Sequence, residues 1–286
     1  MLRSTLIKVA AAITAACATI CAGGVFLEES MIFFPTRYPD GFWDVETISR
    51  NSGTKIEDHF FRTDDDVRLH GWWCTPDPRG GTADIVLLWF HGNAGNLSHR
   101  AELMVRLARL PAQVFIVDYR GYGRSGGRPD EEGLYRDGRA AWRYLVEERA
   151  IPAKRIVVFG ISLGGAVAVD LVSEVEPAGV ILESTFTSVP EMAAHHFPIV
   201  PRVLIRTRMD SIAKIRTIRV QKLHIHSPAD EVVPFALGRR LYDAAPEPKR
   251  FHEVAGSGHN ETYLVGGEGY FGAIRRFLED CLTRRS

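Results

Sequence analysis

Three side chains in this sequence, Ser162, Asp230 and His259, have the types needed to attack a carbonyl carbon. A serine hydroxyl is a weak nucleophile until a base takes its proton. The base in turn needs a carboxylate to fix its tautomer and stabilise the imidazolium. Ser162 lies in FGISLGGAV, Phe159 to Val167, where GISLG fits G-x-S-x-G, a nucleophile on a tight turn between strand and helix. Side chains in place of Gly160 and Gly164 would put Cβ atoms into the strand–helix crossing. A serine that merely caps the helix would not require glycine on both sides. Asp230 follows a turn in HSPADEVVP, and His259 sits in the glycine-containing loop VAGSGHNET. Ser162 is expected to be partly accessible and within hydrogen-bond reach of His259.

The tetrahedral oxyanion of acyl transfer needs preorganised donors. One is expected from the backbone N–H of Leu163, next to the nucleophile at a helix start. The second is expected from HGNAGN, His91 to Asn96, with Asn93 as donor and His91 bracing the loop. Glu231 would point away if Asp230 points inward, and Glu183 is a possible substitute acid whose simpler reading is a bond to local backbone. His195 and His196 would diverge by about 100° on a helix, which does not make a metal site. His224 and His226 share one strand face and read as packed or partly exposed residues. GYGRSG, Gly121 to Gly126, satisfies G-x-G-x-x-G, but GRPDE delays the next helix to about Glu131. It reads as a turn bordering the site rather than a dinucleotide cradle.

These loops need a frame to converge. Apolar runs of buried-strand length recur at Asp84–Phe90, Gln113–Tyr119, Arg155–Ile161, Gly179–Ser184, Lys222–Ser227 and Arg250–Ala255, with helical stretches between them. In one of these, Leu134, Ala141, Trp142, Leu145 and Val146 line a single face. A hairpin over Ile56–Arg62 and Val67–Thr75, turning at Asp64–Asp66, precedes them. The pattern is α/β: a mostly parallel central sheet, an N-terminal antiparallel hairpin and helices on both faces. Chemistry in such a sheet collects at the carboxyl ends of the strands, where Ser162, Asp230 and His259 all fall.

The 286 residues, 45% of them hydrophobic, suffice for one such domain. Lys+Arg and Asp+Glu both number 35, so no basic surplus points to nucleic acid. Cys17, Cys21, Cys74 and Cys281 make neither a disulfide framework nor a zinc pattern. Residues 1–29 read as an anchor or signal segment and 30–286 as the catalytic domain. Val9–Leu27 carries no charge and would make about 28 Å of helix, enough to cross a bilayer. Arg3 and Lys8 before it, and Glu28 and Glu29 after it, put the body on the non-cytoplasmic side. Cleavage as a signal peptide is the alternative, which would leave a secreted or periplasmic protein.

The motifs FHGNAGN, DYRGYGRSGGRPDEEGLYRDGRAAWRYL, GISLGGAVA, LESTFTS, DEVVP and GSGH resemble the α/β-hydrolases. Within them they are similar to a membrane-anchored group that includes protein depalmitoylases and lipid esterases. The resemblance covers about Glu57 to Phe277, and MIFFPTRYP after the apolar run is similar as well. It implies Ser162 as nucleophile, Asp230 as acid, His259 as base, and Leu163 and Asn93 as oxyanion donors, with no cofactor. The expected activity is hydrolysis of lipophilic esters or thioesters through an acyl-enzyme. The partner is then a small or lipid-like acyl substrate. A peptidase of the same fold and a non-catalytic scaffold are the alternatives. The segment Thr187–Arg219 holds Met192, Phe197, Ile199, Val200, Val203, Leu204 and Ile205, which could form an acyl-chain wall or simply pack on the sheet.

Overall fold

The computed structural model describes residues 28–76 and 84–283. The expected anchor Val9–Leu27 lies outside the described residues, and among these no helix is long and apolar enough to cross a membrane. The strands, in chain order, are β1 (Phe34–Pro35), β2 (Lys55–Arg62), β3 (Arg68–Thr75), β4 (Ile85–Phe90), β5 (Ala94–Gly95), β6 (Ala112–Asp118), β7 (Ile156–Ile161), β8 (Gly179–Glu183), β9 (Gln221–His226) and β10 (Lys249–Glu253). Eight of them form one sheet in the order β10-β9-β8-β7-β4-β6-β3-β2. Every pairing from β10 to β6 is parallel, whereas β3 pairs antiparallel with both β6 and β2. The frame read from the sequence is the one observed, with strand ends displaced by a residue or two.

Both faces of the sheet are covered, which explains why its central strands are apolar throughout. Along β4 the side chains alternate with period two: Val86, Leu88 and Phe90 enter one buried cluster, and Ile85, Leu87 and Trp89 enter the other. Each such side chain, fully buried, contributes about 1.5–3 kcal/mol. The helix Leu163–Glu174 behind Ser162 is buried at every position from Leu163 to Val172, so it lacks a polar face. The helix Glu131–Arg143 starts where GRPDE delays it, with the Asp130 carboxylate accepting from Gly133 N–H at 2.8 Å.

One pairing has no local signature. β1 runs parallel to β5, which lies inside the HGNAGN loop. Phe34 N–H donates to the Asn93 carbonyl at 3.0 Å, Thr36 N–H to that of Gly95 at 3.0 Å, and the Asn96 side-chain amide to the Thr36 carbonyl at 3.1 Å. The segment after the apolar run thereby holds the HGNAGN loop. Glu28 adds a second tie, accepting from the N–H groups of Arg206 and Thr207 at 3.0 and 2.7 Å.

Beneath that loop lies a buried polar cluster. Asp118, at the end of β6, accepts from Leu97 N–H at 2.8 Å and faces His91 Nε2 at 3.3 Å. His70 Nε2 bonds Asp58 at 2.6 Å, while its Nδ1 stands 3.7 Å from Asp118, beyond hydrogen-bond range. Burial opposes charge on His70, yet Asp118 and Asp58 overcome it and raise its pKa from 6.5. The His70 bond, against burial, holds Asp58 down at about 2, with Trp72 and Arg124 assisting. A raised histidine stabilises the fold below its unfolded value of 6.5, and that stability is lost as pH rises through the folded value. The depressed Asp58 contributes above 3.8, and its share is lost as pH falls toward about 2. The His70→Gln variant is therefore expected to trail wild type in Tm most at pH 5–6, with a gap that narrows toward pH 9. Melting curves across that range check this, and a gap that widens with pH contradicts it.

Candidate active site

Ser162 sits between β7 and its helix with φ 54° and ψ −118°, a conformation that L-residues rarely adopt. Three hydrogen bonds hold it there. Ser162 N–H donates to the Glu183 carbonyl at 2.9 Å, and its own carbonyl accepts from Gly165 N–H at 2.9 Å and from Thr185 Oγ1 at 2.8 Å. The glycines around it serve close approach. A Cβ on Gly160 would stand 2.4 Å from the Gly164 carbonyl oxygen, and one on Gly164 would stand 2.0 Å from that of Phe90. Ser162 is the sharp end of a turn pressed between two strands and a helix.

Asp230 and His259 come together from the ends of β9 and β10. His259 Nδ1 bonds Asp230 Oδ2 at 2.8 Å, and Asp230 Oδ1 accepts from Val232 and Val233 N–H at 2.9 and 2.8 Å. Burial opposes its charge, but the bonds from His226 and His259 prevail and hold Asp230 well below the usual carboxylate range. Because Asp230 accepts at Nδ1, His259 can keep its proton there and leave Nε2 as the base. Ser162 and His259 line one cavity of about 210 Å³. Ser162 Oγ makes no hydrogen bond to His259, and Ser162 is 7% exposed, so it is less accessible than the sequence suggested.

The HGNAGN loop passes directly beside Ser162: a Cβ on Gly92 would stand 3.6 Å from Ser162 Cβ. The Asn93 carbonyl accepts from Phe34 N–H at 3.0 Å and Tyr122 hydroxyl at 2.7 Å, and its side chain donates to the Ile32 carbonyl at 3.1 Å. None of these uses the backbone N–H of Asn93. Leu163 N–H is the first of its helix, which has no intrahelical acceptor to offer it. Tyr122 comes from GYGRSG, so that turn supports the site, and His91 braces the loop, with Nδ1 on the Gly92 carbonyl at 2.7 Å.

Four carboxylates and histidines do more than the sequence suggested. Glu231 does not merely point away: its Oε2 accepts from His259 N–H at 3.0 Å and fixes the histidine's backbone. Glu183 is bonded not to local backbone but to the hydroxyls of Thr262 and, at 2.6 Å, Tyr270, and so braces the helix that follows His259. Burial raises its pKa, against the pull of those two hydroxyls. His226 is packed, as expected, but its Nε2 also lies 3.2 Å from Asp230 Oδ2 and 3.1 Å from the Val233 carbonyl. Its position four residues before Asp230, at the last position of β9, is the signal that could have identified it. His196 Nε2 meets the Val232 carbonyl at 2.8 Å.

On the other side of Ser162 opens a second cavity of about 470 Å³, sharing Asn93, Ser162 and Val232 with the first. Its walls include Met192, Phe197, Val200, Leu204 and Ile205 from the segment after β8, with Met31 and Ile32 opposite. The segment is thus a cavity wall, and Met192 and Ile205 pack on the core as well.

Sheet order, elbow and the His–Asp pair define an α/β-hydrolase, and comparison with known proteins agrees. Residues 81–216 match the family model described as serine aminopeptidase, S33. The chain is 44% identical over 219 residues to the uncharacterized protein Rv2307c of Mycobacterium tuberculosis, covering 76% of this chain and 77% of that one. It is 33% identical over 275 residues to protein bem46 of Schizosaccharomyces pombe, covering 91% and 89%. Among solved structures, the Pyrococcus furiosus esterase Pf2001 shares the fold with a TM-score of 0.70 at 21% identity, covering 87% of this chain and 98% of that one. The chain belongs to the α/β-hydrolase family, which relatives 36% and 34% identical over about three quarters of it carry in their descriptions.

Proposed function

We propose that the protein hydrolyses lipophilic acyl esters or thioesters through an acyl-enzyme on Ser162. The observation that carries this reading is the 2.8 Å His259–Asp230 bond in a cavity shared with a serine held at φ 54°. His259 takes the Ser162 proton as Oγ attacks the acyl carbon, and the oxyanion rests on the N–H groups of Leu163 and Asn93. His259 then protonates the leaving atom. Water, activated by the same histidine, releases the acid.

The apolar cavity suits the acyl chain, because it is lined by Ser162 together with Leu163, Phe186, Met192, Val200 and Leu204. An aminopeptidase would need a carboxylate for the substrate ammonium. Glu183, the carboxylate lining the polar cavity, already has both oxygens engaged by Thr262 and Tyr270, which favours an ester over a peptide. An anchor at Val9–Leu27 would end one residue before Glu28, on the rim of the apolar cavity, and present that cavity to a membrane on its non-cytoplasmic side. Hydrolysis of p-nitrophenyl esters from acetyl to palmitoyl tests the substrate class. kcat/KM is expected to rise at least tenfold from acetyl to medium chains, and a sharp preference for acetyl contradicts the lipophilic reading.

A further inference from the structure

The cavity of about 210 Å³ is more polar than its neighbour, and it contains a guanidinium with donors to spare. Arg100 lines it together with His99, Asn260, Tyr263, Ser162 and His259. Its Nη2 donates to the Ala94 carbonyl at 2.8 Å, which leaves most of its five N–H groups for other acceptors. Among the described residues no carboxylate lies within ion-pair distance of Arg100.

The nearby acids are all committed elsewhere. Glu102 pairs with Arg106 at 2.8 Å and accepts from the Tyr263 hydroxyl at 3.3 Å. Glu183 is held by Thr262 and Tyr270, and Asp118 by Leu97 N–H beneath the loop. His99 turns Nδ1 to Asn96 at 2.9 Å. Burial pulls the Arg100 pKa below 12.5 despite the opposing pull of Tyr263 and Asp118, as befits a cation short of a counter-charge. A half-buried guanidinium with free N–H donors, in the cavity that Ser162 and His259 line, is placed to meet a ligand that supplies an anion.

Resting on the acyl-transfer reading above, we propose that this cavity receives the leaving group and that Arg100 selects one bearing an anionic oxygen group, phosphate or carboxylate. The substrate is then two-armed, with a hydrocarbon acyl chain in the apolar cavity and a charged alcohol or thiol in the polar one. As the Ser162 Oγ–acyl carbon bond forms, the bond from that carbon to the leaving oxygen or sulfur breaks. The proton His259 took from Ser162 passes to the leaving atom, and the released alcohol or thiol departs with its anion still facing Arg100.

Acyl-matched pairs test this with the full-length protein at low salt, where charge contacts are least screened. The pairs are 1-octanoylglycerol against its 3-phosphate, and phenyl octanoate against 4-carboxyphenyl octanoate; the first reads phosphate and the second carboxylate. In wild type the anionic member of at least one pair is expected to have about tenfold or more higher kcat/KM, the worth of one charge-assisted hydrogen bond. In Arg100→Gln that ratio falls toward one, and in Arg100→Lys part of it returns. Equal kcat/KM within both pairs in wild type, or a ratio unchanged in Arg100→Gln, overturns the proposal. Absence of turnover on all four esters would instead overturn the acyl-transfer reading. Calorimetric binding of the glycerol pair to Ser162→Ala decides the leaving-group proposal independently of turnover. Tighter binding of the phosphate, lost on adding Arg100→Gln, supports it, and equal binding overturns it.

Discussion

The Ser162→Ala protein is expected to lose about 10⁴-fold or more in kcat on a p-nitrophenyl ester, while its Tm stays within a few degrees of wild type. The size follows from what the hydroxyl does: without it no acyl-enzyme forms, and only the oxyanion donors and substrate binding remain. His259→Ala and Asp230→Asn should fall in the same direction, the latter because an amide cannot hold the imidazolium that His259 becomes. Because the three act as one unit, the double variant Ser162→Ala/His259→Ala should be no slower than the slower single one. Steady-state kinetics check all four. Additive losses, or a Ser162→Ala protein that keeps more than about a hundredth of wild-type kcat, contradict the shared role.

Gly164→Ala is expected to be among the most damaging single methyls in the described domain. The added Cβ would stand 2.0 Å from the Phe90 carbonyl oxygen, 2.5 Å from its carbon and 2.6 Å from the His91 carbonyl oxygen. All three are backbone atoms where β4 gives way to the oxyanion loop, so no rotamer change relieves them. Either the nucleophile's helix moves off the sheet or the loop moves away from Ser162. A loss of more than about 3 kcal/mol follows, or about 6–12 °C in Tm for a domain of this size. Gly269→Ala is the control: nothing lies within 4 Å of its added Cβ, and alanine in a helix stabilises by up to about 1 kcal/mol. Thermal melting of both variants checks this, and a Gly164→Ala protein that melts with wild type contradicts the tight crossing.

Much of this was legible in the sequence because the signals are local. A β4 buried on both faces must read as an apolar run, and GISLG, DEVVP and GSGH each mark a turn at a strand's carboxyl end. Five of the residues named for catalysis fall around the two adjoining cavities or on the His–Asp pair. What was not legible depends on partners distant in the chain. Nothing near Phe34 announces that it will pair with Ala94, 60 residues on, and His70 gives no hint that it will share a buried cluster with Asp118. The engagement of Glu231 with the His259 backbone needs the β9 and β10 loops already side by side. The contact between Ser162 and His259 is the reverse case: the motifs led to expect a hydrogen bond, and the structure has none, with both side chains lining the same cavity.

Labelling with a fluorophosphonate tests the central claim most directly, because it reports a nucleophile activated by its base without a choice of substrate. Wild type is expected to gain the mass of one adduct, located by peptide mapping to the segment containing Ser162, and the Ser162→Ala protein to gain none. No adduct on folded wild type, or undiminished labelling of Ser162→Ala, would contradict Ser162 as the nucleophile.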